Sequence, residues 1–189
     1  GETPLLAAAT GANSELVKLL LAAGAAPRLA DQSGATPLWR AARAGAVDAA
    51  QMLLAAGAEV DGADHDGRTP LMCAITARHD AMVATLLQAH ARVSVHSAAG
   101  DTPLMMAASL GSGDMVRMVL QHAPDINAQN QDGDTALIAA SRAGNTAAVK
   151  VLLAGGASTV LRNGKRATAA DVARDRGFGT LAAELGGKS

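Results

Sequence analysis

Aromatic side chains are almost missing from this sequence: among 189 residues there is one Trp (Trp39), one Phe (Phe178) and no Tyr. A core built without large rings, from Ala, Leu, Val and Met, suits helices at close approach better than a sandwich or barrel. Cysteine is as scarce. Cys73 stands alone, which excludes an intrachain disulfide and a thiolate metal cluster. Charge of one sign is lacking as well. The net charge of −1 provides no global field to gather nucleic acid or an acidic membrane, so neither is expected as a partner. No apolar run approaches the roughly 20 residues that cross a bilayer, and stretches such as Leu19 to Ala26 fall far short. No signal peptide is read in the chain, which starts at Gly1, and a cytoplasmic location is favoured.

What the chain has is alanine, about a quarter of all residues against an ordinary share far below that. Alanine loses no side-chain entropy in a helix, so the bias is helical. It also has an internal period. Thr3, Thr36, Thr69, Thr102, Thr135 and Thr168 recur at a constant step of about 33 residues. Thr-Pro-Leu starts the first four units and softens to Thr135-Ala136-Leu137 and Thr168-Ala169-Ala170. Alanines follow in register at Ala8, Ala41, Ala74, Ala107, Ala140 and Ala173, and paired apolar residues at Leu20-Leu21, Leu53-Leu54, Leu86-Leu87, Val119-Leu120 and Leu152-Leu153.

Each element of the period has a mechanical reading. The threonine hydroxyl caps a first helix by accepting an orphan backbone N–H, and proline follows at the position where its missing N–H costs nothing. Gly45, Gly111, Gly144 and Gly177 are expected to break that helix. A second helix follows, and in the first unit Leu16, Val17, Leu20 and Leu21 should form its buried stripe. Gly24, Gly57 and Gly156 end the second helix in the left-handed conformation. Polar stretches such as residues 61–67 make the hairpin to the next threonine.

In this register the chain resembles the ankyrin repeat family along essentially its whole length. The resemblance implies an all-α, ankyrin-repeat solenoid of stacked helix-turn-helix-hairpin units. It is read as a single domain over 1–189: full repeats at about 1–33, 34–66, 67–99, 100–132 and 133–165, and a shorter capping repeat at 166–189. Members usually carry His after Thr-Pro-Leu. This chain has Leu6, Trp39, Met72, Met105 and Ile138 instead, so apolar contact is expected to replace that residue's hydrogen bonds. His90 and Ala123 stand at the helix-ending glycine position, and Ala12 and Arg78 also stand where glycine is usual. The last unit, with Arg174, Asp175, Arg176, Glu184 and Lys188, reads as a polar cap. The first has the apolar character of an internal repeat, and the full protein is expected to continue upstream.

Catalytic and metal readings do poorly. His65, His79, His90, His96 and His122 fall at different repeat positions without ligand-like spacing. Gly111-Ser112-Gly113 lacks the lysine of a phosphate loop and reads as a flexible turn. Cys73 reads as a buried structural thiol. Arg162, Lys165, Arg166, Arg174 and Arg176 read as a solvated cap because Asp171 and Asp175 are interleaved. No cofactor, no catalytic residue and no metal ligand is assigned.

The leading functional reading is a monomeric, non-catalytic module that binds another protein, since members of the family are typically binders and scaffolds. The alternatives are the repeat portion of a larger enzyme or regulatory protein, or a designed repeat protein. The resemblance places the partner surface on exposed first-helix positions and hairpin tips, the expected concave side. Candidates are Arg40, Arg43, Met106, Leu110 and Arg142 on the helices, with Cys73 between them, and His65, Asp66, Arg68, Asp101, Asp132 and Asp134 at the tips. Arginines flanking an apolar centre suit a partner with apolar anchors and acidic groups at both ends. The plain alternative is a set of ordinary solvated side chains.

Overall fold

The structure, a computed structural model, describes residues 2–186. Among these are twelve α-helices and no strand, so the all-α reading holds. The helices are α1 (Pro4–Thr10), α2 (Ser14–Ala22), α3 (Pro37–Ala44), α4 (Val47–Ala55), α5 (Pro70–Thr76), α6 (Asp80–Gln88), α7 (Pro103–Leu110), α8 (Gly113–Leu120), α9 (Ala136–Ala143), α10 (Thr146–Ala154), α11 (Ala169–Asp175) and α12 (Gly179–Gly186). The chain divides into two compact units, Gly1–Arg92 and Val93–Ser189. In the first, α1, α3 and α5 pack in series and α2, α4 and α6 form a second row. In the second, α7, α9 and α11 form one row, α8 packs on α10, and α12 folds against α11. Of the expected cap residues, Lys188 lies outside the described residues.

The recurring threonine acts as read. The hydroxyls of Thr3, Thr36, Thr69, Thr102, Thr135 and Thr168 each accept the backbone N–H three residues on, at 3.2–3.4 Å. Pro4, Pro37, Pro70 and Pro103 open their helices. Asp171 adds a reciprocal bond in the last pair, its carboxylate accepting the Thr168 backbone N–H at 3.0 Å. The residues after this motif are core: Leu6, Trp39, Met72, Met105 and Ile138 are all buried. Apolar packing is not the whole replacement, however, because the Trp39 indole donates to the Arg68 carbonyl at 3.0 Å.

One local expectation needs correction. Leu16 does not belong to a buried stripe: it is 40 % exposed, while Ala49, Met82 and Ala148 at the same repeat position are at 0–1 %. Those three sit on α4, α6 and α10, which pack on α2, α4 and α8, whereas α2 is the first helix of its row among the described residues. Only Val17 is fully buried on α2. Gly111 breaks its helix as read, but in an extended conformation (φ −87°, ψ −178°), unlike Gly45 and Gly144 at φ 71° and 66°. Its carbonyl accepts the Asn145 side-chain amide at 2.9 Å, and the next residue, Ser112, caps α8. His90 and Ala123 keep the left-handed geometry of the missing glycines, at φ 62° and 51°, at a cost on the order of 1 kcal/mol each.

Candidate protein-interaction surface

The hairpins owe their shape to one repeat position. Asp31, Asp64, Asn130 and Asn163 each turn a side-chain oxygen onto the backbone N–H groups two and four residues ahead, at 2.7–3.1 Å. These turns hold the tip residues in place. Backbone bonds link successive tips within each unit, from His65 N–H to the Ser33 carbonyl and from Gln131 N–H to the Ala99 carbonyl.

In the first unit Arg40 ion-pairs with Asp31. The Ser33 hydroxyl first, and the Arg40 guanidinium second, hold the Asp31 carboxyl far below the usual carboxylate range. Arg43 lies exposed, with its guanidinium 5.7 Å from the Trp39 ring centre. At the tip, Arg68 pairs with Asp66 at 2.8 Å, both largely in water, and His65 is exposed. Cys73 is buried beside Ala35 and Trp39, and burial pushes its thiol up to about 12, which keeps it protonated and unreactive at neutral pH.

The second unit holds a cleft of about 430 Å³. Six of the candidate residues meet in it: Asp101, Met106, Leu110, Asp132, Asp134 and Arg142. Asp134 is buried and takes two partners, the Arg142 guanidinium on one oxygen and the Asn163 amide, at 3.0 Å, on the other. Burial pushes its carboxyl up, but Arg142 and Asn163 outweigh it, and the pKa falls below the ordinary value. The bond to Asp134 raises Arg142 in turn, with further support from the charges of Asp132 and Asp101. Asp101 accepts from the Asn130 amide at 2.6 Å. Met105, Ser109, Asn130, Ala139, Ala143 and Arg176 also line it.

Sequence reasoning missed Asn130, Asn163 and Arg176. The two asparagines had a signal, since they share the 33-residue step with Asp31 and Asp64. Arg176 has no such signal in the sequence, where it belongs to the basic cap. That cap is solvated as expected, with Arg162 and Arg174 placed 3.8 and 3.1 Å from Asp171. Among the described residues no three His, Cys, Asp or Glu side chains converge as metal ligands, and no helix is long and apolar enough to cross a membrane.

A family model of ankyrin repeats (three copies) matches residues 5–97 and 89–163. The chain belongs to the ankyrin repeat family. No curated protein matches the sequence. Among solved structures, a chain in the complex of the Bd0816 predatory endopeptidase from Bdellovibrio bacteriovorus with immunity protein Bd3460 is similar over 100 % of both chains. It shares 30 % identity at a TM-score of 0.90. Family and likeness together support a protein-interaction module.

Proposed function

We propose that this chain is a non-catalytic ankyrin-repeat module that binds a partner protein through exposed first-helix positions and hairpin tips, and that the partner is an endopeptidase restrained by the binding. The observation that carries this reading is the end-to-end likeness to a chain of an endopeptidase–immunity protein complex. That chain is taken as the immunity side, because the likeness runs through a fold made only of ankyrin repeats. The cleft of the second unit and the exposed Arg43, His65, Asp66 and Arg68 of the first give each unit its own contact area. Five full repeats with a final cap, a monomeric state and independence from metal belong to the same reading. Titration of the purified chain into candidate endopeptidases from its own source tests it. One of them should bind with sub-micromolar affinity and lose activity in proportion. Binding that is abolished by Lys18→Ala or Arg117→Ala on second helices, and not by Arg43→Ala or Leu110→Asp, would place the contact on the wrong side. Activity of the chain itself toward a peptide substrate would end the non-catalytic reading.

A further inference from the structure

Arg142 looks, in the sequence, like a free cation waiting for a carboxylate. The structure gives that cation to Asp134, a buried neighbour within the chain. The Arg142–Asp134 pair therefore contributes little net charge to the cleft, and the charge offered to a visitor is set by what surrounds it. On the hairpin side stand Asp101, half-buried, and Asp132, exposed. The Asp132 backbone N–H is fixed by Asn130 at 3.0 Å, so its carboxylate projects from an ordered turn. One oxygen of Asp101 is fixed by the Asn130 amide. Toward the helix end the wall turns apolar through Met106 and Leu110.

A cleft with carboxylates at one end and thioether and aliphatic surface beside them matches a side chain with a cationic head on a hydrocarbon stem. A carboxylate visitor would be repelled by Asp101 and Asp132, and of the two arginines that line the cleft, Arg142 already shares its charge with the buried Asp134. We propose that this cleft receives a lysine or arginine side chain of the partner protein, its head on Asp101 and Asp132 and its stem along Met106 and Leu110. The proposal rests on the partner-binding reading above and reverses the charge that the sequence alone assigns to the partner.

Random peptides can stand in for the partner as the probe. A heptapeptide display library is selected on the immobilised full-length chain, and the winners are made as synthetic peptides. Winners should be enriched in Lys or Arg. Their affinity should drop roughly tenfold or more on Asp132→Lys and Asp101→Asn, a change of about 1.4 kcal/mol per decade. Replacing the peptide's basic residue by Glu should abolish binding to the wild type and restore it to Asp132→Lys. Circular dichroism and thermal melts of the variants confirm that the fold is kept, with Asp132→Asn as the milder second variant. Acidic winners that still depend on Leu110 would overturn the proposal while leaving the binding module intact. Basic winners indifferent to Asp101 and Asp132 would overturn it too. A chain that selects no peptide and binds no protein would overturn both readings.

Discussion

Arg43 and Arg142 occupy the same repeat position, one in each unit, yet they do different things. Arg142 closes on Asp134, while Arg43 lies over Trp39. The cause sits at another shared position, filled by Asp134 in one unit and by Ala35 in the other. The hairpins differ in a related way. In the first unit the turn-forming residues are Asp31 and Asp64, and in the second Ser97, Asn130 and Asn163. A carboxylate can only accept, whereas an amide accepts with its oxygen and donates with its nitrogen. Asn130 and Asn163 thus shape their own turns and also bind Asp101 and Asp134 of the preceding hairpin. The first unit cannot make that tie. There the indole of Trp39 reaches the next hairpin's backbone instead. One repeat position, changed from acid to amide, moves the bond between hairpins from an aromatic donor to a side-chain ladder.

The difference belongs to the hairpins and should not extend to the core. Leu86→Ala in the first unit and Leu152→Ala in the second remove equally buried side chains, and each should cost about 2–5 kcal/mol in urea unfolding. Leu16→Ala, on the open side of α2, should cost well under about 1 kcal/mol. A core cost confined to one unit would show that the two units do not share a common packing scheme.

Exchanging acid and amide breaks the comparison where it is made. Asn163→Asp sets a carboxylate against the buried Asp134 and removes its donor, and it should cost about 3 kcal/mol at pH 7. Asp31→Asn is the opposite exchange. It keeps an oxygen for the Ser33 and Ala35 N–H groups but turns an NH2 toward Arg40 and so loses that ion pair, for which about 1–2 kcal/mol is expected. Equal costs from the two exchanges would mean that the amide nitrogen contributes nothing to the ladder.

Acid should probe both arrangements. The Asp31 and Asp134 carboxyls lie below their ordinary pKa when folded. As pH falls, the unfolded chain binds protons at these groups first, so their contribution is complete above about pH 4 and fades as pH drops through the lower folded values. The urea midpoint should fall between pH 4 and pH 2, and Asp31→Asn should fall less steeply than the wild type. A steeper fall in that variant would contradict the assignment of Asp31 as an ionised partner of Ser33 and Arg40.

The period made the fold legible, because Thr caps, Pro at the helix start and paired apolar residues each act locally and recur in register. The burial of Met72, Met105 and Ile138 followed from their place just inside the first helix. Departures arose where a residue depends on what lies beside it in space. Leu16 repeats a core position but has no described helix on its outer side, and Gly111, a helix breaker as read, takes an extended form with its carbonyl bound by Asn145. Arg142 could be located from sequence. Its commitment could not, since Asp134 faces it only once the hairpin is folded onto α9.

The smallest effect separates what a hairpin tip does with its backbone from what it does with its side chain. Gln131 and His65 share a repeat position, and both backbone N–H groups bond the preceding tip, to Ala99 and Ser33. Gln131 alone adds a side-chain bond, from its amide to the Ala98 carbonyl at 2.7 Å. The residue is exposed, so water can take that carbonyl when the amide is removed. Gln131→Ala keeps the backbone bond and should cost at most about 0.5 kcal/mol, measured as a shift in urea midpoint at constant slope. His65→Ala, with the same backbone bond, should be as mild. If Gln131→Ala instead approaches the cost of Asn163→Asp, the ladder of the second unit runs through the exposed tips as well as through the buried Asp134, and the contrast between the units is wider than their turn-forming residues alone explain.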